Sequence, residues 1–293
     1  PAETIAQSGG RFATLVGHAD PLNKTPGINV RGSTQESVLA LDKAPAQSEW
    51  RGGSPSGQLL TSARTLAGES RRVRLYLPDV DVSQPLGLVV LPDGETWFDP
   101  LGVCAAIDAA INNGRIVPVA VLGIDNIDEH ERTAILGGRS ELIKDIAGQL
   151  LPTIRAEHPQ RRWADRSRTV LAGQSLGGVS ALMAARYAPE TFGLALSHSP
   201  SMWWTPEGAS RPNVFSETDS SWVSEHLLSA PPQGVRIRLC VGSLEGSTVP
   251  HVQRLHQQLL TAGVDSHCAM YTGGHDYAWW RGALIDGLGL LQG

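Results

Sequence analysis

Cysteine is scarce: three residues in 293 (Cys104, Cys240 and Cys268), an odd number without C-x-x-C spacing. That argues against a disulfide framework or a zinc knuckle and for buried thiols in a reducing compartment. Long apolar runs are missing too. Nothing approaches the ~18 residues needed to span a membrane, and stretches such as Ile116–Ile124 read as buried strands. Positive charge is not in excess. Lys+Arg 24 against Asp+Glu 29 leaves −5, which argues against nucleic acid or anionic lipid as the main partner. No secretory signal opens the chain. It begins at Pro1 without Met, so a removed or further segment is expected ahead of it. Phe and Tyr are few, four each, whereas Trp numbers eight. Trp97, Trp203, Trp204, Trp279 and Trp280 fall in three short clusters, which packing alone could explain.

What remains is an ordinary globular composition, 41% hydrophobic and 18% charged, long enough to bury a core without covalent staples. Residues 1–57 are rich in Gly, Ser, Pro, Asn and Gln and poor in hydrophobic periodicity. They read as a linker or the tail of another domain, with one possible short strand at Ser37–Leu41. Residues 58–293 read as one domain. Leu59–Leu66 and Arg71–Leu77 alternate like a hairpin. Strand-like runs then alternate with longer helical stretches: Leu86–Leu91, Val117–Ile124, Arg168–Ala172, Gly193–Ser197, Arg236–Val241 and His267–Tyr271. The pattern predicts an α/β fold, a mostly parallel sheet with helices on both faces, whose strand C-termini share one edge.

Between the strand at 168–172 and the helix after it stands Gly173-Gln174-Ser175-Leu176-Gly177-Gly178. G-x-S-x-G in that context is a nucleophile elbow. The turn projects the Ser175 hydroxyl above the sheet edge and aims the Leu176 N–H, at a helix N-terminus, where an oxyanion forms. The base follows the last strand in this chain order. His275, in Gly273-Gly274-His275-Asp276, occupies that place; His198 is the rival. The acid belongs after the strand 236–241, where Glu245 is the only carboxylate of the loop. Asp265, Asp276 and a Ser–His pair without an acid remain alternatives. An acid that only orients the imidazole predicts a smaller loss on Glu245→Gln than on His275→Ala. The second oxyanion N–H is assigned to Glu95, in the loop Pro92–Trp97 after the strand 86–91.

These residues resemble the ferric enterochelin (enterobactin)/salmochelin esterase family of the α/β-hydrolases. Four blocks carry the resemblance in order: Asp93-Gly94-Glu95-x-Trp97, Gly173-Gln174-Ser175-x-Gly177-Gly178, Ser197-His198-Ser199-x-Ser201-Met202-Trp203-Trp204 and Gly274-His275-Asp276-x-x-x-Trp280-Arg281. Asp20–Asn23 and Ala44–Gln47 are similar to the junction after that family's N-terminal domain. The resemblance implies a serine esterase that opens the trilactone of catecholate siderophores, their linear products or glucosylated forms. The junction implies the cytoplasmic type, with the periplasmic type as the alternative. No cofactor is expected, since iron arrives as part of the substrate. The partner is a small molecule, with neither nucleic acid nor membrane insertion.

A ferric tris-catecholate is a trianion with broad aromatic faces, so its site wants a few cations and flat apolar surfaces. Trp97, Trp204 and Trp280 are the candidate faces; packing under the loops is the alternative. Arg132 maps onto a substrate-contacting Arg of the family. Three residues on, the family often has Glu where this chain has Ile135. Arg139 and Arg281 read better as surface or paired side chains. A serine hydrolase or acyltransferase on another ester, and a siderophore-binding module without turnover, are the competing functions.

Overall fold

The computed structural model describes Leu22, residues 28–31, 34–40, 42, 44–208 and 210–292. The chain forms two compact units, residues 1–46 and 47–293. In the first, β1 (Ile28–Arg31) and β2 (Thr34–Glu36) pair antiparallel. The strand expected at Ser37–Leu41 is not formed: residues 37–40 are irregular, and Leu41 lies outside the described residues.

The second unit begins at Gln47 rather than 58, and residues of the stretch 47–57, which includes a short 3₁₀ turn at Ser48–Trp50, meet specific partners within it. Glu49 is buried against Arg115 at 3.1 Å. Trp50 packs on Trp97, ring centroids 6.1 Å apart. Ser56 donates to Asp108 from its backbone and its hydroxyl, and the Gly57 N–H donates to Tyr76 Oη. Such contacts leave no hydrophobic period, so composition alone reads the segment as linker.

β3 (Gln58–Leu66) and β4 (Glu69–Leu77) form the expected hairpin. Its turn, Ala67-Gly68, has φ of 51° and 81°, the doubly left-handed geometry that matches strand twist in a two-residue hairpin. The hairpin joins β5 (Gly87–Pro92), β6 (Val119–Ile124), β7 (Thr169–Gln174), β8 (Leu194–His198), β9 (Arg236–Gly242) and β10 (Asp265–Tyr271) in one sheet of order β10-β9-β8-β7-β5-β6-β4-β3. From β10 to β6 all pairs are parallel; β4 is antiparallel to β6.

Alternation splits the core between the two faces. Val89, Leu91, Val170, Ala172, Leu194 and Leu196 pack under the helices Val103–Asn112 and Tyr277–Leu288. Leu88, Val90, Leu171 and Ala195 meet the helix Leu176–Tyr187 on the other face. With both faces covered, function is left to the edge. The strand order turns back between β5 and β7, and a crevice opens there at the strand C-termini. Three short helices, Gly94–Phe98, Glu129–Ile135 and Trp222–Leu228, were not foreseen from the sequence. The first two stand at that edge, following β5 and β6. Among the described residues no helix is long and apolar enough to cross a membrane.

Candidate active site

β7 delivers Ser175 at the crevice with φ 57° and ψ −119°, a strained conformation for a residue with a Cβ. The strain persists because strand and helix press together around it. A Cβ on Gly173 would lie 2.6 Å from the Gly177 carbonyl carbon, and one on Gly178 would lie 2.8 Å from His198 O. A Cβ on Gly177 would meet only ordinary contacts, 3.7 Å from Pro92 and 3.8 Å from Asp93 Oδ2. The sterically required glycines are therefore 173 and 178, and Gly177 marks where the loop after β5 abuts the elbow. Leu176 opens the helix, so its N–H has no partner four residues back.

The Ser175 hydroxyl is 3.1 Å from Ser201 Oγ. Among the described residues it makes no hydrogen bond to His275. The imidazole stands after β10, 42% exposed, with Nδ1 2.7 Å from Glu245 Oε2. Glu245 is only 2% exposed. Its other oxygen accepts from the Gly242 N–H and the Ser199 hydroxyl, both at 2.6 Å. With Nδ1–H donating to a carboxylate, Nε2 is left as the acceptor that a serine proton needs. The rival acids are engaged elsewhere. Asp276 caps the last helix through the Ala278 N–H at 2.6 Å. Asp265 begins β10, at the opposite edge of the sheet, 3.3 Å from His267. His198, the rival base, is wholly buried, and among the described residues neither ring nitrogen has a hydrogen-bond partner. Burial, helped by Arg238, pushes its pKa down to about 3, so it stays neutral.

On the other side of Ser175, Glu95 lies in the first turn of the helix Gly94–Phe98. Its carboxylate accepts from the Asn126 N–H at 3.0 Å and from Asn126 Nδ2 at 2.8 Å. Burial raises its pKa, against those hydrogen bonds. The centre of this region is Asp93, a residue that sequence reasoning passed over. It is buried, holds φ 59°, and accepts from Arg132 Nε and Nη2, Asn126 Nδ2 and Gln174 Nε2 at 2.5–3.0 Å. Gln174 Nε2 also donates to Tyr277 Oη at 2.8 Å. The loop after β5 is thereby tied to the residue just before Ser175.

Arg132 is 17% exposed. Burial opposes its charge, but Asp93 more than offsets that, and the guanidinium is held protonated above its ordinary range. Its closest acid is thus Asp93, with Glu129 further off at 3.9 Å; Glu131 pairs with Arg71 instead. Arg132→Ala removes the cation facing a buried carboxylate and frees the loop beside the elbow. It is expected to lower kcat/KM by roughly 10- to 100-fold for a ferric trianion and for a small neutral p-nitrophenyl ester alike. A loss confined to the trianion, measured on both substrates, would show direct substrate contact instead.

Burial corrects the reading of Trp97, Trp204 and Trp280 as open substrate faces. Trp97 is fully enclosed between Trp50 and Tyr277. Trp204 packs on Trp222 at 5.0 Å, with Arg139 over its ring at 5.6 Å. Trp280 is buried edge-on to His275, centroids 4.7 Å apart, and its indole donates to Ser199 Oγ at 2.8 Å. All three stand at the active edge, as their positions in the chain imply, but they support the loops from beneath. Arg281 is paired as expected, to Gln47 Oε1 at 2.5 Å.

A carboxylate and an imidazole on the loops after the last two strands, at the same sheet edge as a serine raised by β7, match the plan of the α/β-hydrolases. Residues 63–291 match the sequence family described as "Putative esterase", and residues 1–50 match "Enterochelin esterase, N-terminal". The chain belongs to the enterochelin esterase family. It is 84% identical over 292 residues to the iron(III) salmochelin esterase of Escherichia coli O6:H1 (strain CFT073), covering 100% of this chain and 71% of that one. With the iron(III) enterobactin esterase of Escherichia coli K12 it shares 32% over 274 residues, 92% of this chain and 66% of that one. The crystal structure of the Shigella flexneri enterobactin esterase in the presence of enterobactin superposes with a TM-score of 0.80 at 30% identity. That match covers 93% of this chain and 68% of that one.

Proposed function

We propose that this chain is a serine esterase that hydrolyses the trilactone esters of catecholate siderophores, namely ferric enterobactin, salmochelins and their linear products. The observation that carries the chemistry is the His275–Glu245 contact at 2.7 Å on the same sheet edge as a serine held at φ 57°. The substrate class is supported by likeness to the salmochelin and enterobactin esterases.

In this reading Ser175 Oγ attacks an ester carbonyl while His275 Nε2 takes its proton. The backbone N–H groups of Leu176 and Glu95 receive the oxyanion. His275 then protonates the departing seryl hydroxyl and activates the water that frees Ser175. Glu245 holds the imidazole tautomer and stabilises its cation. These steps call on no metal or organic cofactor; iron enters as part of the substrate. Because Ser175 rests on Ser201 rather than on His275, the proton path is completed when substrate arrives, as apo sites often require. The match of residues 1–50 to the family's N-terminal region supports a cytoplasmic setting over a periplasmic one.

The test incubates purified protein with ferric and iron-free enterobactin and salmochelin and reads product masses. Each cleaved bond should add one water, giving linear and then shorter products. Bound but unchanged macrocycle would establish a binding module; turnover only of unrelated esters would establish a different hydrolase.

A further inference from the structure

We infer that the loop after β8 is a rigid gauge between nucleophile and acid, in which Ser201 holds the reacting oxygen of Ser175 and Ser199 positions His275 through Glu245. The proposal rests on the catalytic roles assigned above and adds to them two residues that those roles do not use.

Ser199 is wholly buried at φ 43°, a left-handed conformation that favours glycine. Its N–H donates to Cys240 O at 2.7 Å, which pins it beside β9. Its hydroxyl has one possible sense. The Trp280 indole can only donate to it, at 2.8 Å, and the hydroxyl in turn donates to Glu245 Oε1 at 2.6 Å. The run Trp280 → Ser199 → Glu245 ← His275 is therefore directional. Each donor stabilises the carboxylate as an anion and holds its second oxygen toward the imidazole. A glycine would suit this backbone better, yet only a hydroxyl completes the run.

Two residues on, Ser201 is joined to the nucleophile. Its N–H donates to Ser175 O at 3.1 Å, and its hydroxyl lies 3.1 Å from Ser175 Oγ. The Ser175 N–H in turn donates to His198 O at 3.0 Å. The elbow residue is thus held at N, O and Oγ by the same loop that grips the acid. Ser197, just before it, is anchored to Gly178 O at 2.8 Å. A loop held this way sets where Ser175 Oγ stands relative to the His275–Glu245 pair, and so how far either must move to meet.

The experiment compares unaltered protein with Ser199→Gly, Ser201→Ala, Ser201→Thr and the Ser199→Gly/Ser201→Ala pair. Readouts are kcat and KM on iron-free enterobactin, Ser175 labelling by a fluorophosphonate, thermal unfolding, and the proton NMR signal of His275 Nδ1–H. Ser199→Gly relieves backbone strain while deleting the hydroxyl, so it should fold. It is expected to lower kcat by roughly 10- to 100-fold with KM within about twofold, and to move the His275 proton signal. Ser201→Ala should lower kcat and labelling similarly without moving that signal, and Ser201→Thr should recover most of the loss. The pair should lose less than the product of the single losses, because both act on one alignment. Ser199→Gly with kcat within about twofold of the unaltered protein and an unmoved His275 signal would overturn the proposal. So would purely multiplicative losses that follow the unfolding temperature. The NMR signal and the labelling need no siderophore, so they judge the gauge even if siderophore hydrolysis fails.

Discussion

Ser175→Ala is expected to abolish siderophore ester hydrolysis while leaving the fold in place. The hydroxyl does little packing. Among the described residues its one partner is Ser201 Oγ, and the backbone bonds that hold the elbow, Ser175 N–H to His198 O and Ser201 N–H to Ser175 O, survive the substitution. Alanine has the same Cβ, so the strain at φ 57° is unchanged. What disappears is the atom that forms the acyl bond. Binding and the oxyanion N–H groups remain, and such remnants supply only a small part of a triad's acceleration. Single-turnover product masses should show a loss on the order of 10³-fold or more, with affinity for iron-free enterobactin and the unfolding temperature nearly unchanged. Near-normal hydrolysis by this variant would place the nucleophile elsewhere.

Glu245→Gln is expected to cost nearly as much as His275→Ala, and here the structure reverses what chain position alone implies. An acid that merely orients its neighbour could be replaced cheaply. Glu245, however, is buried and uses both oxygens: one takes the Gly242 N–H and the Ser199 hydroxyl, the other takes His275 Nδ1–H. Glutamine has a single acceptor. If it serves Gly242 and Ser199, its NH₂ faces His275. Nδ1 must then accept, Nε2 carries the proton, and the ring cannot receive one from Ser175. If it turns around, its NH₂ meets the Gly242 N–H, donor against donor in a buried site, which is costly too. The wrong tautomer costs about 10⁴-fold in a serine protease triad, so losses on the order of 10³-fold or more are expected for both variants in kcat on iron-free enterobactin. Glu245→Gln retaining more than about a tenth of normal kcat would mean that a Ser–His pair works without help from this acid.

Most of the fold is legible in periodicity. The strands expected at 86–91, 117–124 and 168–172 are rich in apolar residues because helices cover both faces, and the observed strands Gly87–Pro92, Val119–Ile124 and Thr169–Gln174 begin and end within two residues of them. The three unforeseen helices are each of five to seven residues, too short to display an apolar stripe over two turns. The stretch 47–57 carries no periodic signal for a related reason. Glu49, Trp50 and Ser56 each meet a specific partner, and such contacts follow no period.

For the site, local chemistry and chain order were enough to pick out Ser175, His275 and Glu245 as candidates, since an elbow needs Gly173 and Gly178 beside it and parallel strands bring successive loops to one edge. Long-range pairing was not readable. That Arg132 answers Asp93, 39 residues away, that Trp97 closes on Trp50 and Tyr277, and that Ser199 stands between Trp280 and Glu245 depend on which strands neighbour one another and on which side chains that order encloses. Motif and periodicity are properties of adjacent residues and are written in the chain. Burial and hydrogen-bond partnership are properties of neighbours in space, and only the assembled sheet, with β8 between β7 and β9, decides them.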